Sequence, residues 1–274
     1  MNMLVLGSGG RESAYIIALL TDPEVKNIYV IGFHAGFVDE SRVINCTLKD
    51  IHTLDVDLVV SGPEAFAADG THDEFRKKGI PVFGASKRAA RIETDKAWAR
   101  KFMKKIDLPQ PYFEIHTDPT RAKKAIKKDE RLRVVKAAGL CGGKGVVVAD
   151  TEKEAEQATD DILVKKIFGT EGEKIVLEER LGWHDPVAHE VSAMFVTDGK
   201  KIFALPLVQD YKREGDRDKG KNTGGMGCKS ADDTLSATER SWVEKKIAFP
   251  LLQELKVAKT SFIGILYISL MKTR

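Results

Sequence analysis

Residues 133–148 read Arg133-Val-Val-Lys-Ala-Ala-Gly-Leu-Cys-Gly-Gly-Lys-Gly-Val-Val-Val148. Two apolar, β-branched runs flank a turn with four glycines and one lysine in the seven positions Gly139–Gly145. β-Branched residues suit a pleated backbone and glycine clusters interrupt it. The stretch therefore predicts the strands Arg133–Ala137 and Gly145–Ala149, paired as an antiparallel hairpin. A phosphate-binding loop of the Walker type is excluded. Ala138 stands at the required glycine, Gly145 replaces the Ser or Thr after the lysine, and the chain continues into a strand instead of a helix. What remains is a flap. Its bare backbone (Gly139, Gly142, Gly143, Gly145) can approach an anion without Cβ clashes, and Lys144 can close over a polyphosphate.

Charged residues around the flap extend this reading. Lys96 opens a helix before it, and Lys136 closes the strand leading into it. Glu178 and Glu179 end the following strand, Lys174–Glu178, and Glu190 stands after a short connector. Two lysines can neutralise a triphosphate from two sides. A carboxylate such as Glu190 can accept hydrogen bonds from a ribose diol, and the backbone around Glu179–Leu181 can pair with an adenine edge. Further on, Gln209-Asp-Tyr-Lys-Arg213 and Lys221-Asn-Thr-Gly-Gly-Met-Gly227 lie in a polar stretch, 209–227, with five glycines. It predicts a long loop, and such loops in compact domains usually serve function. Asp210, Lys212 and Arg213 suit an amino acid or phosphosugar of mixed charge. Asn222, Thr223, Gly224, Gly225, Met226 and Gly227 offer amide, hydroxyl and bare backbone donors.

The first hundred residues alternate strand and helix. Met3–Leu6, Asn27–Ile31, Leu58–Ser61 and Pro81–Phe83 predict strands, with helices at 12–20 and Asp73–Lys78. Repeated βα units imply a parallel sheet whose ligands gather at the carboxyl ends of the strands. Gly7-Ser-Gly-Gly-Arg-Glu12 and Gly62-Pro-Glu64 both follow strands, so both belong at that rim. The first, opening a helix, is a natural anion site. It is no dinucleotide fingerprint, because Glu12 stands at the third glycine and Ile31-Gly32-Phe33 carries no acid. A phosphate or phosphosugar bound by Gly9, Gly10 and Arg11 fits it better. A basic helix, 86–105, precedes Pro109 and Pro111, which puts a domain boundary near 100–110.

Later segments predict helices at Thr120–Asp129, 152–163 and 237–254. Strands are expected at Val191–Thr197 and Lys201–Leu207, joined by an Asp198-Gly199 turn, and at Phe262–Met271. The 274 residues include 42% hydrophobic and 31% charged side chains, which excludes wholesale disorder. A net charge of +3 gives no electrostatic case for nucleic acid. Three scattered cysteines form no disulfide or zinc framework and fit a reducing compartment. No apolar run approaches the ~18 residues of a membrane span, and the N-terminus carries no secretory pattern. A cytoplasmic location is expected.

Taken in order, Gly-Ser-Gly-Gly-Arg-Glu, Gly62-Pro-Glu64, Asp95-Lys96, the flap, Glu178-Glu-Arg-Leu181, Gln209–Arg213 and Asn222–Gly227 resemble the phosphoribosylamine–glycine ligase family. These glycinamide ribonucleotide synthetases belong to the ATP-grasp superfamily. The resemblance implies an α/β fold: an N-terminal Rossmann-like parallel-sheet domain (1–100) and an incomplete ATP-grasp α+β domain (101–274). It implies ligation of glycine to 5-phosphoribosylamine through glycyl phosphate, a step of purine biosynthesis, with ATP consumed. It places Lys96, Lys136, Lys144 and the flap glycines on the ATP phosphates, Glu178, Glu179 and Leu181 at adenine, and Glu190 at ribose. Gly9, Gly10, Arg11, Glu12, Gly62, Pro63 and Glu64 would face the phosphosugar. Lys144, Asp210, Lys212, Arg213 and the Asn222–Gly227 stretch would border the reacting groups.

Three departures stand out. Ser13 replaces the family's usual His. The connector Gly182–His189 is longer. The Glu-Phe-Asn and Arg-Phe-Gly-Asp-Pro-Glu segments, whose Glu and Asn would bind magnesium, are expected beyond Arg274, so no metal ligand is assigned. Activity of this chain alone is then in doubt. Two alternatives stay open. One is a binding-only remnant of the fold. The other is an ATP-grasp ligase of different substrate, completed by a second chain that supplies the C-terminal part. Small molecules are the expected partners, with no nucleic acid and no membrane.

Overall fold

The computed structural model describes the chain apart from residues 52, 186, 217, 218 and 231–233, and apart from the side chains at 213, 219, 221, 222 and 224. The chain forms two compact units. One comprises Met1–Ala90 with Thr197–Gly199 and Leu255–Ile265; the other comprises Arg91–Val196, Lys200–Glu254 and Leu266–Arg274.

In the first unit five parallel strands lie in the order Val43–Cys46, Asn27–Ile31, Asn2–Leu6, Leu58–Ser61, Val82–Phe83. Alternation along Asn2–Leu6 sends Met3 and Val5 to one face, against Ile16 of the helix Gly10–Leu20. Leu4 and Leu6 go to the other, against Phe75 of the helix Thr71–Lys77. The strand order reverses beside Asn2–Leu6, and the turns after it and after Leu58–Ser61 emerge together at that switch point. The strand Val43–Cys46 was not legible: Asn45 interrupts its apolar run, and it lies at the sheet edge with Ile44 exposed.

The second unit holds two sheets. The first is antiparallel, in the order Phe113–His116, Ile175–Glu179, Leu132–Ala137, Val146–Val148. The helices Pro119–Lys128 and Glu152–Leu163 cover one face over Leu132, Val135, Ala137, Ile175 and Leu177. Thr151 caps the second helix by accepting from the amide of Glu154, which sets its start. Ala97, on the helix Lys96–Lys105, packs on the opposite face with Ala138 and Val176. The second sheet joins Ile202–Ala204, His189–Thr197, Val208–Gly215 and Lys219–Ser230, and Gly264–Lys272 pairs with His189–Thr197.

Three sequence expectations need correction. The stretch 209–227 is not a loop. It is an antiparallel ribbon, Val208–Gly215 against Lys219–Ser230, with register shifts beyond Tyr211. Its residues are polar toward both faces, so it lacks the alternation that marks a half-buried strand. Gly220, Gly225 and Gly227 hold positive φ there, which the irregular register requires. The basic helix 86–105 is broken into Arg91–Thr94 and Lys96–Lys105, because Asp95 leaves the helical conformation and accepts from the amide of Trp98 at 2.9 Å. The helix at 237–254 runs on to Val257 and widens into a π-turn over Glu244–Ala248, just before Pro250, which has no N–H to continue the regular ladder. Among the described residues no helix is long and apolar enough to cross a membrane.

Candidate functional site

On the first sheet of the second unit, Lys136 and Glu178 share the face that carries the helix Lys96–Lys105. Glu178 is only 3% exposed. Arg100 forks onto it, with Nε 2.7 Å from Oε1 and Nη2 2.9 Å from Oε2. The ammonium of Lys136 lies 2.7 Å from Oε2. Burial by itself would raise the Glu178 pKa; Lys136 and Arg100 outweigh it and hold the carboxyl below its usual range. Lys96 stands one helical turn before Arg100. Its Nζ donates to the Gly139 carbonyl at 2.6 Å, and its backbone N–H donates to Ala138 at 2.8 Å. Burial lowers the Lys96 pKa, with nearby Lys136 acting in the same direction.

The flap is the turn between Leu132–Ala137 and Val146–Val148. Its base is tied to Glu171: Gly139 N–H donates to the Glu171 carbonyl at 2.9 Å, and Leu140 N–H donates to Oε2 at 3.0 Å. A Cβ on Gly139 would lie 1.8 Å from that oxygen and 2.8 Å from Glu171 Cα, so only glycine fits here. Gly142, Gly143 and Lys144 are exposed at the tip, and both glycines have positive φ. Gly145 is buried, and its carbonyl accepts from Ala137 N–H at 2.8 Å. At the far end of the same sheet, Glu179 turns back so that its Oε2 accepts from Tyr112 N–H at 3.2 Å, and Leu181 is exposed.

A second set lies on the second sheet. Lys212 Nζ is 3.0 Å from Glu190 Oε2 and 3.8 Å from Asp210 Oδ2. Burial works against the Lys212 charge, but Glu190, Tyr267 and Asp210 overcome it and raise the pKa. Tyr267 OH lies 3.0 Å from the Ser192 hydroxyl. Thr223 Oγ1 donates to the Lys212 carbonyl at 2.8 Å and accepts from Gly225 N–H at 3.1 Å. Met226 is 60% exposed, and Gly227 pairs with Tyr211. The side chains at 213, 222 and 224 lie outside those described, while the backbone at each belongs to the ribbon.

The third set is the rim of the first unit. Gly9 and Gly10 are exposed where the helix Gly10–Leu20 begins. Arg11 faces Glu64 at 3.8 Å. Glu12 turns inward: it is 2% exposed, and its Oε2 accepts from Gly9 N–H at 2.6 Å. A Cβ on Gly62 would sit 1.5 Å from Glu12 Oε1, and one on Gly7 would sit 2.6 Å from Pro63 Cγ, so the two turns interlock only as glycines. His34, buried, bridges Gly7 and Ser13 through its two ring nitrogens at 3.2 and 3.3 Å.

Sequence reasoning missed Arg100, Glu171 and His34. Only Arg100 had a signal, its spacing of four from Lys96 on one helix face. A groove of about 480 Å³ lies elsewhere, lined by Lys123, Lys127 and Asp160 among others. Two of its lysines already pair, Lys123 with Asp160 at 2.6 Å and Lys127 with Glu156 at 3.3 Å. Among the described residues no three His, Cys, Asp or Glu are grouped to hold a metal ion.

Two family models match the chain in succession. They are the N domain of phosphoribosylglycinamide synthetase over residues 1–93 and its ATP-grasp (A) domain over residues 94–274. The phosphoribosylamine–glycine ligase of Vibrio cholerae is 34% identical over 280 residues, covering 99% of this chain and 64% of that protein. The trifunctional purine biosynthetic protein adenosine-3 of Drosophila melanogaster is 39% identical, with 99% of this chain matching 21% of that protein. The chain thus spans between a fifth and somewhat under two thirds of these relatives. The crystal structure of the Thermotoga maritima phosphoribosylamine–glycine ligase superposes with a TM-score of 0.81 at 30% identity, over 99% of this chain and 65% of that one.

Proposed function

The chain belongs to the phosphoribosylglycinamide synthetase family, and from that premise we propose that it serves the ATP-dependent ligation of glycine to 5-phosphoribosylamine. The observation that supports this best is the cation cluster at the flap base. Lys136, Arg100 and Glu178 carry a net positive charge on a largely buried face, and Lys96 adds another beside Gly139.

In the proposed reaction the glycine carboxylate attacks the γ-phosphorus of ATP. The bond to the β-γ bridging oxygen breaks, and ADP and glycyl phosphate form. The amine of phosphoribosylamine then attacks the glycyl carbonyl and expels phosphate, losing a proton as the amide forms. Such transfers depend mainly on positioning and charge neutralisation. Lys96 and Lys136 hold phosphates from the sheet side, and Lys144 with the exposed flap amides closes from the other. Closure also keeps water from the acyl phosphate. The backbone at Glu178, Glu179 and Leu181 borders adenine. Glu190, steadied by Lys212, accepts from the ribose diol, and Asp210 and Arg213 with Asn222–Gly227 border the reacting groups. Gly9, Gly10, Arg11 and Glu64 receive the phosphosugar, with Glu12, Gly62 and Pro63 bracing the two turns.

Two measurements test this. Lys136→Ala should weaken ATP binding more than tenfold in a calorimetric titration, because a charge-assisted contact is lost. Unchanged affinity would count against the flap as a nucleotide clasp. In the protein that carries this chain, ADP release should require both glycine and phosphoribosylamine. Release indifferent to glycine would sink the ligase reading.

A further inference from the structure

Two cations share one carboxylate at the flap base, and the partition of charge among them has a functional consequence. Glu178 is nearly sealed from water at 3% exposure, so solvent does little to weaken its hold on a neighbouring cation. Lys136 and Glu178 alone would make a neutral pair. An incoming phosphate would then have to compete with a desolvated carboxylate for the same ammonium. Arg100 changes this balance. Its Nε and Nη2 reach both carboxylate oxygens, at 2.7 and 2.9 Å, in the planar two-point geometry a guanidinium favours. The three groups together then carry one net positive charge. The Lys136 side chain, at 22% exposure, is the group through which that charge is presented.

We propose that Arg100 is a positioning residue that absorbs the charge of Glu178 and so keeps the Lys136 ammonium available to an ATP phosphate. This rests on the nucleotide reading given above. Arg100 itself touches no substrate; it acts through Glu178 on Lys136.

A purely structural arginine would neutralise a buried glutamate and do nothing more. The two roles separate in a set of variants titrated by calorimetry with ATP and with adenosine. Arg100→Gln should weaken ATP binding at least tenfold and leave adenosine within twofold, since only the phosphate tail senses Lys136. Arg100→Lys should recover ATP binding to within threefold of the parent. The double variant Arg100→Gln/Glu178→Gln should also recover it to within threefold, although the arginine is absent, because Lys136 no longer faces a carboxylate. The proposal is overturned if Arg100→Gln binds ATP as the parent does, if it loses ATP and adenosine equally, or if the double variant stays as weak as the single one. Should Arg100→Gln fail to fold by circular dichroism, the folded double variant decides alone: ATP affinity within threefold of the parent supports the proposal, and a tenfold or greater loss of ATP with adenosine within twofold overturns it. A parent protein that binds no ATP overturns the nucleotide reading together with this proposal. A parent that binds ATP beside an unmoved Arg100→Gln overturns the role of Arg100 alone.

Discussion

The contact between Gly139 and Glu171 makes a sharp demand on the flap. In Gly139→Ala the new methyl would lie 1.8 Å from Glu171 Oε2, 2.8 Å from its Cβ and 2.8 Å from its Cα. Rotating the glutamate away relieves the first clash but gives up the 3.0 Å bond from Leu140 N–H, a loss of ~1 kcal/mol where water can replace the acceptor. The Cα clash is with backbone, so the chain must shift as well, at a cost of about 1–3 kcal/mol. The sum is about 2–4 kcal/mol, which at a urea m-value near 2 kcal/mol/M moves the midpoint by about 1–2 M. Trp98, Trp183 and Trp242 all belong to the second unit, so intrinsic fluorescence follows the unit that carries the flap. Gly142→Ala is the control: it has open space and φ +55°, so its cost is limited to about 1–2 kcal/mol of left-handed strain. Glu171→Ala should remove only the side-chain part, and Gly139→Ala/Glu171→Ala should keep most of the Gly139→Ala cost. If Gly139→Ala unfolds within about 0.5 kcal/mol of the parent, a size expected of an unconstrained surface change, the anchoring of the flap to Glu171 is wrong.

Two further outcomes follow from the second unit. Ile162 is fully buried between the helix Glu152–Leu163 and the sheet, so Ile162→Ala should cost about 2–5 kcal/mol by urea unfolding. A cost under 1 kcal/mol would mean that the helix does not pack there. The second outcome concerns acid. Burial opposes ionisation of Glu178, but Lys136 and Arg100 prevail and its folded pKa lies below the ordinary value. Below about pH 4.3, where free glutamates protonate, the unfolded chain binds more protons than the folded one. The stabilisation is therefore full above that pH and is lost as pH falls through the folded pKa. Between pH 5 and 3 the fluorescence-detected midpoint should fall more steeply in the parent than in Glu178→Gln; parallel profiles would refute the linkage.

Much of the fold was legible because local and tertiary preferences agree. The strands Asn27–Ile31 and Leu58–Ser61 are apolar runs inside a sheet covered on both faces. The helix Glu152–Leu163 begins where Thr151 caps it. The ribbon 208–230 was not legible, because what makes it a ribbon is cross-strand pairing that a polar, glycine-rich sequence does not announce. The candidate site divides the same way. The flap glycines could be read as a turn that must approach something closely. The inward course of Glu12 and Glu178 could not, since a glutamate at a helix start or strand end reads as a solvated group until its neighbours are known.

Register turns those scattered charges into a site. Along Leu132–Ala137, Val135 and Ala137 enter the core under the helices; along Ile175–Glu179, Ile175 and Leu177 do. Lys136 pairs opposite Val176, and Glu178 opposite Val134, so the lysine and the glutamate are diagonal neighbours on the other face. Long side chains meet across such a diagonal. The helix Lys96–Lys105 then brings Arg100 onto the same carboxylate. A slip of one residue would send Lys136 into the helix-covered core and Val135 to the face that carries Glu178. The apolar packing that fixes the register thus also fixes the charge cluster. Core substitutions that loosen register, and not only changes to the charged residues, should therefore reduce nucleotide affinity before they unfold the unit.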